Sequence, residues 1–357
     1  MQTAAKTALT LAPAAVAGAL AAWLHLPLPW MLGPLLCTAA LSMAGLPLQA
    51  SLRLRNAGQW AIGTALGLYF SPAVLLAMGR LSWAIALGVL WALGAGYGFY
   101  RFLCWRHRHE AQLHPGSAFF AAAIGGASEM AVLAERHGAQ VERVAAAHSL
   151  RVLLVVTGMP LAFQLSGLHG LDPMAPAVRE VQPAGLALLV ALTVAASLGM
   201  RWLDLPSPFV LGALGVTLVL TASGVVLSAL PQAFTNAGQL FIGVALGTRF
   251  TPAFVRSGPR WLASVAVGTL GMMLLSASFA WVLAQATGLH PATLVLGTSP
   301  GGISEMSITA KVLQLGVPMV TAFHVVRYLA VLLLTGHLWR WEARRLARTT
   351  AESSPRA

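Results

Sequence analysis

Glu129 and Glu305 are the residues best placed to do chemistry in this chain. The first sits in Gly125-Gly126-Ala127-Ser128-Glu129-Met130, the second in Gly301-Gly302-Ile303-Ser304-Glu305-Met306, 176 residues later. Each is followed 19 residues on by a histidine, and three further by an arginine: His148 and Arg151, then His324 and Arg327. The surrounding stretches are apolar enough to lie in a bilayer, where a carboxyl is expensive and normally has a partner and a task. Such a group is either held neutral or balanced by a cation, and both states couple to protons or to a cation such as Na+. Arg151 and Arg327 are candidate partners, giving four intramembrane charges that balance two by two.

Around the carboxyls, Ser128 and Ser304 offer hydroxyls, while Gly125, Gly126, Gly301 and Gly302 weaken the helix. Freed amides at a helix break can hold an anion or a small polar ligand. His148 and His324 share a helical face with the arginine three residues on, as proton relays, glutamate partners or metal ligands. Their spacing from the glutamates departs from the Glu-x-x-His of di-metal bundles. Cys37 and Cys104 form no metal or disulfide pattern, so no metal and no cofactor is expected. The same charges admit a structural reading, in which each Glu–Arg pair pins its own half together.

The elements that must position these residues are membrane helices. The chain is 57% hydrophobic and 9% charged, against roughly 25% charged in soluble domains. Its 357 residues fall into recurrent apolar runs of about 20 residues, the length that spans a bilayer as helix. The runs are continuous rather than alternating, which excludes a β-barrel. The expected fold is all-α and polytopic, with 10–12 transmembrane segments. The net charge of +12 lies in short loops and the C-terminal basic residues, a membrane pattern rather than a nucleic-acid face. No soluble stretch is long enough for a DNA-reading domain, so no direct nucleic-acid partner is expected.

Most of the chain aligns with itself. Asn56-Ala57-Gly58-Gln59, then Ile62-Gly63 and Ala65-Leu66-Gly67, return 180 residues later as Asn236-Ala237-Gly238-Gln239, Ile242-Gly243 and Ala245-Leu246-Gly247. Two homologous halves follow, residues 1–171 and 183–340, with a linker at 172–182 and a basic cytoplasmic tail at 341–357. The segments at 116–135 and 291–310 carry the Gly-Gly pairs, and Pro300 precedes the second. Glycine costs about 1 kcal/mol and proline about 3 in a helix interior, so both are expected to be broken or re-entrant. If both return to the side they came from, all the loop and tail basic residues except Arg80, Arg179 and Lys311 fall on one side. The halves are then inverted repeats and the C-terminus is cytoplasmic.

The doubled Gly-Gly-x-Ser-Glu-Met, the Pro-x-x-Leu-Gly near residue 30 and the downstream His-x-x-Arg resemble the bacterial AbrB-type inner-membrane proteins. The resemblance covers about residues 10–340. It implies a duplicated multi-pass protein of the cytoplasmic membrane, in a family labelled "ammonia monooxygenase" or "transcriptional regulator", and so connected with regulation of gene expression.

Site chemistry and resemblance together predict a secondary transporter of a small solute, an anion among the candidates, coupled to H+ or Na+, and not an enzyme. Its partners are the lipid bilayer and a small-molecule or ion substrate, and the reading admits a homodimer. The alternative is a membrane sensor that affects gene expression indirectly, without transport.

Overall fold

The computed structural model describes residues 2–110, 113–168, 170, 180–252, 254 and 258–353. The expected linker falls mostly outside these residues, as do Arg179 and the last residues of the tail. Every regular element among the described residues is a helix. The first seven run α1 Gln2–Trp23, α2 Pro29–Met43, α3 Leu52–Gly67, α4 Pro72–Arg80, α5 Ser82–Arg106, α6 Pro115–Ala122 and α7 Ala127–Arg136. There follow α8 Val141–Leu165, α9 Pro183–Trp202, α10 Pro208–Ala222, α11 Gln232–Gly247, α12 Pro259–Thr287, α13 Pro291–Thr298, α14 Ile303–Val312 and α15 Val317–Ser353. Proline opens many of them, at the position where its missing N–H has no intrahelical partner to lose.

Six helices are long and apolar enough to cross a bilayer: α1 from Lys6, α5, α8, α9, α12 and α15 to Arg348. A seventh candidate is the pair α3 and α4, bent by 85°. This makes the chain a multi-pass membrane protein. The helices α2, α3, α10 and α11 are 15 or 16 residues long, about 22–24 Å at the α-helical rise, against a hydrocarbon core of ~30 Å.

These four short helices pack on one another, joined where glycine lets backbones touch. A Cβ on Gly63 would meet the Val210 carbonyl at 2.4 Å, and one on Gly67 would meet the side chain of Thr217 at 2.4 Å. The contacts advance together, so α3 and α10 run parallel. Gly243 meets the Met31 carbonyl at 2.6 Å and Gly247 the Leu35 carbonyl at 2.6 Å, so α2 and α11 also run parallel. α3 crosses α11 at Gly58 and Gly238, each facing the other's carbonyl. Arg55, early in α3, lies within electrostatic reach of Arg249, just past the end of α11. These two helices are therefore antiparallel.

Both Gly-Gly segments are broken. α6 and α7 are separated at residues 123–126, and α13 and α14 at 299–302. Each pair is a hairpin rather than an interrupted crossing. The amide of Gln140, past the end of α7, donates to Ser117 Oγ at the start of α6 (2.8 Å). The amide of Gly316, past α14, donates to Thr293 Oγ1 at the start of α13 (3.3 Å). The first hairpin thus opens at the N-terminal end of α8. Leu313, at the mouth of the second, accepts from the amide of Gly170, beyond the C-terminal end of α8. α8 has 25 residues, about 37 Å, so the hairpins open toward opposite ends of the molecule.

One further finding concerns Glu342. The sequence places it in the basic tail, but α15 continues through it to Ser353 and leaves it 1% exposed. Tyr100 donates to its carboxylate at 3.2 Å, and Arg345 approaches it at 3.9 Å.

Candidate functional site

A broken helix leaves carbonyls without partners on one side of the gap and amides without partners on the other. The carbonyl side carries partial negative charge and the amide side partial positive charge. The doubled motif supplies ionisable side chains to both.

Arginine and histidine take the carbonyl side. In the first hairpin His148 Nε2 donates to the Phe120 carbonyl (2.9 Å) and Arg151 to that of Ala121 (3.3 Å). Arg151 also donates to His148 Nδ1 (2.7 Å). In the second, His324 Nε2 donates to the Leu296 carbonyl (2.9 Å), and Arg327 to the carbonyls of Ser299 and Gly301 and to His324 Nδ1 (2.8 Å). All four side chains are buried. A guanidinium only donates and a carbonyl only accepts, so each imidazole is neutral with its proton on Nε2. Both ring nitrogens of each histidine are occupied by these bonds.

Glutamate takes the amide side. Glu129 and Glu305 are the third residues of α7 and α14, the position from which a carboxylate reaches back to the helix start. Glu305 accepts a hydrogen bond from its own amide. A Cβ on Gly126 would lie 2.0 Å from Glu129 Oε2, and one on Gly302 2.2 Å from Glu305 Oε2. The second glycine of each pair therefore vacates the space the carboxylate fills. The first faces the methionine that ends the motif: a Cβ on Gly125 would lie 3.1 Å from Met130 Cε, and one on Gly301 2.5 Å from Met306 Cγ.

The Glu–Arg pairing considered from the sequence is thus not what the structure contains. No ion pair joins Glu129 or Glu305 to Arg151 or Arg327 among the described residues. The reason is that the break provides each charge with a nearer partner, a helix end of opposite polarity.

The two glutamates differ in surroundings. Tyr328 donates to Glu129 Oε1 (2.8 Å) and lies 2.9 Å from Ser207 Oγ. Ser207 immediately precedes α10 in the left-handed conformation, with φ 47°. In the first half Val152 and Leu28 occupy the aligned places, so Glu305 lacks this hydroxyl pair. Ser128 is exposed whereas Ser304 is buried.

Beside the first break lies a cavity of about 450 Å³. Its walls include Ala127 and Ser128 of α7, Glu142, Ala145 and Ser149 of α8, and Arg249 and Thr251 after α11. Arg249 lies within electrostatic reach of both Glu129 and Glu305. Sequence reasoning missed it, because Tyr69 stands at the aligned position and the doubled pattern carries no signal there. No group of three or more potential metal ligands occurs among the described residues.

Fold and site together define a multi-pass helical membrane protein with two capped helix breaks. The chain belongs to the AbrB family: the family model described as "Transition state regulatory protein AbrB" matches residues 30–343. It is 27% identical to "Uncharacterized protein YhjN" of Bacillus subtilis (strain 168), covering 87% of this chain and 86% of that protein. It is 24% identical to "Putative regulator AbrB" of Escherichia coli (strain K12), covering 87% of this chain and 88% of that one.

Proposed function

We propose that this protein is a secondary transporter of the bacterial cytoplasmic membrane, built from two inverted halves, that moves a small solute coupled to H+ or Na+. The observation that carries the reading is the pair of hairpins, opening toward opposite ends and each ending in a break with a carboxylate at its tip. Irregular backbone at membrane depth is tolerated where it is buried in protein or lines a cavity, and binding sites at paired broken helices are a recurring transporter design. The helix directions support inversion. α2 runs with α11, α3 runs with α10, and α3 opposes α11, so α2 opposes its own counterpart α10.

Ten crossing helices, two hairpins and the short α4 then make up the bundle. Arg55, Arg106 and Arg249 fall at the end carrying the C-terminal arginines, and Lys311 at the other. The charge bias makes the first end cytoplasmic, and the cavity beside Ser128 opens toward it. Glu129 and Glu305 are the coupling-ion candidates. His148, Arg151, His324 and Arg327 hold the breaks in shape rather than touching solute.

The test is flux in proteoliposomes loaded with a pH indicator or a Na+ indicator. A panel of carboxylates, amino acids, sugars and amines is added outside, with and without Na+. The reading expects at least one solute to drive proton or Na+ movement, and Glu129→Gln and Glu305→Gln to lose it. The name of the Escherichia coli relative favours a second reading, a membrane sensor without transport. That reading expects ligand-dependent stabilisation and no flux for any solute.

A further inference from the structure

We infer that Arg249 is the anchor for the carried solute and that the solute is a small monocarboxylate. The inference rests on the carrier reading above and supplies its substrate class. Four arginines lie near the two breaks, Arg55, Arg151, Arg249 and Arg327, and two of them are committed to carbonyls: Arg151 and Arg327 hold the ends of α6 and α13. Of the others, Arg249 lines the cavity. A guanidinium presents a planar fork that matches a carboxylate with two parallel bonds.

Three features fit a bound carboxylate better than a structural ion pair. First, Arg249 lies within reach of Glu129 and Glu305, yet among the described residues neither forms an ion pair with it at contact distance. Arg55 is a like charge within the same reach, and the Arg249 fork is not occupied by either carboxylate. Second, Ser128 of the first turn of α7 and Ser149 of α8 share the cavity walls with it, adding hydroxyls beside a helix end of positive polarity. Third, Arg249 departs from the doubled pattern, with Tyr69 in the aligned position, whereas the groups that shape the breaks occur in both halves. A feature present in one half only suits a single asymmetric solute. Size and charge follow from the walls. A volume of about 450 Å³ is at the small end for ligand sites. Glu142, an exposed residue of the cavity wall, repels a polyanion more strongly than a single negative charge.

The test is thermal unfolding of the purified full-length protein in detergent, at constant Na+ and ionic strength. The probes are acetate, lactate, pyruvate, succinate, phosphate and methylamine. The expected result is that one of the three monocarboxylates raises Tm by about 3 °C or more at saturation. Arg249→Gln abolishes the shift, and Arg249→Lys retains it with at least tenfold weaker affinity. Ala145→Leu fills the cavity without altering any charge and abolishes it too, so the result does not depend on one variant folding. Arg260→Gln, in a separate polar cluster, leaves it intact. A monocarboxylate shift that survives Arg249→Gln overturns the inference, as does one that survives Ala145→Leu or no shift with any monocarboxylate. A methylamine shift lost in Glu305→Gln but not in Arg249→Gln overturns it while leaving the carrier reading standing. No shift with any probe, together with no flux from the wider panel, removes both.

Discussion

Replacing Arg327 by methionine keeps much of the volume and removes every donor. The Ser299 and Gly301 carbonyls and His324 Nδ1 then lose their partner. A hydrogen bond to a charged group contributes about 1.5–3 kcal/mol, and a buried acceptor left unpaired costs about 1–3. Allowing for overlap among the three, Arg327→Met should destabilise the protein by about 3–5 kcal/mol. The informative quantity is what happens when a second residue is also changed. Glu305 shares no bond with Arg327, so Arg327→Met and Glu305→Gln should be additive to within about 0.5 kcal/mol. His324 does share one, so Arg327→Met and His324→Leu should couple by about 1–3 kcal/mol. The assay is equilibrium unfolding in mixed detergent micelles, read by tryptophan fluorescence. A Glu305–Arg327 coupling above about 1.5 kcal/mol would refute the reasoning, because it would mean the two charges answer to each other rather than to the two ends of the break.

Two other expectations are independent of that cycle. Gly126→Ala places a Cβ where the Glu129 carboxylate sits; it should cost about 1–2 kcal/mol, the scale of a lost helix-start cap, and part should return in Gly126→Ala/Glu129→Ala, measured by the same unfolding assay. Glu110, in the loop after α5, accepts from Arg143 and lies 3.0 Å from His107. The Arg143 guanidinium foremost, then His107, holds its carboxyl below the ordinary value. A depressed carboxylate stabilises the folded state above its unfolded value, about 4.3, and loses that contribution as pH falls through the folded value. Wild type should therefore lose more stability than Glu110→Gln between about pH 5 and pH 3, seen as a steeper fall in Tm; parallel falls would remove Glu110 from the account.

The sequence exposes the two broken segments because Gly125-Gly126 and Gly301-Gly302 violate helix propensity twice, at matching places. It also exposes α3 and α11, whose glycines at 58, 63 and 67 recur at 238, 243 and 247. What it hides is the partner of each charge. Glu129 and Arg151 look like a pair when only side chains are counted. The competing partners are helix ends, and these carry charge only once the chain is known to break between Ala122 and Ala127. Residues outside the doubled pattern are hidden for another reason. Tyr328 aligns with Val152 and Arg249 with Tyr69, so neither is marked by recurrence. Glu342 reads as tail because it stands among arginines; its burial comes from α15 packing against α5, where Tyr97 and Tyr100 receive it.

The most direct test of the central claim is the side from which each hairpin is reached. Cys37 and Cys104 are first replaced, and single cysteines are placed at Arg136, exposed at the end of α7, and at Val312, 47% exposed at the end of α14. An impermeant maleimide is then applied to right-side-out and inside-out membrane vesicles. The account predicts that Arg136→Cys is labelled only in inside-out vesicles and Val312→Cys only in right-side-out ones. Labelling of both from the same side would contradict inverted halves and, with them, a carrier built on two opposed hairpins.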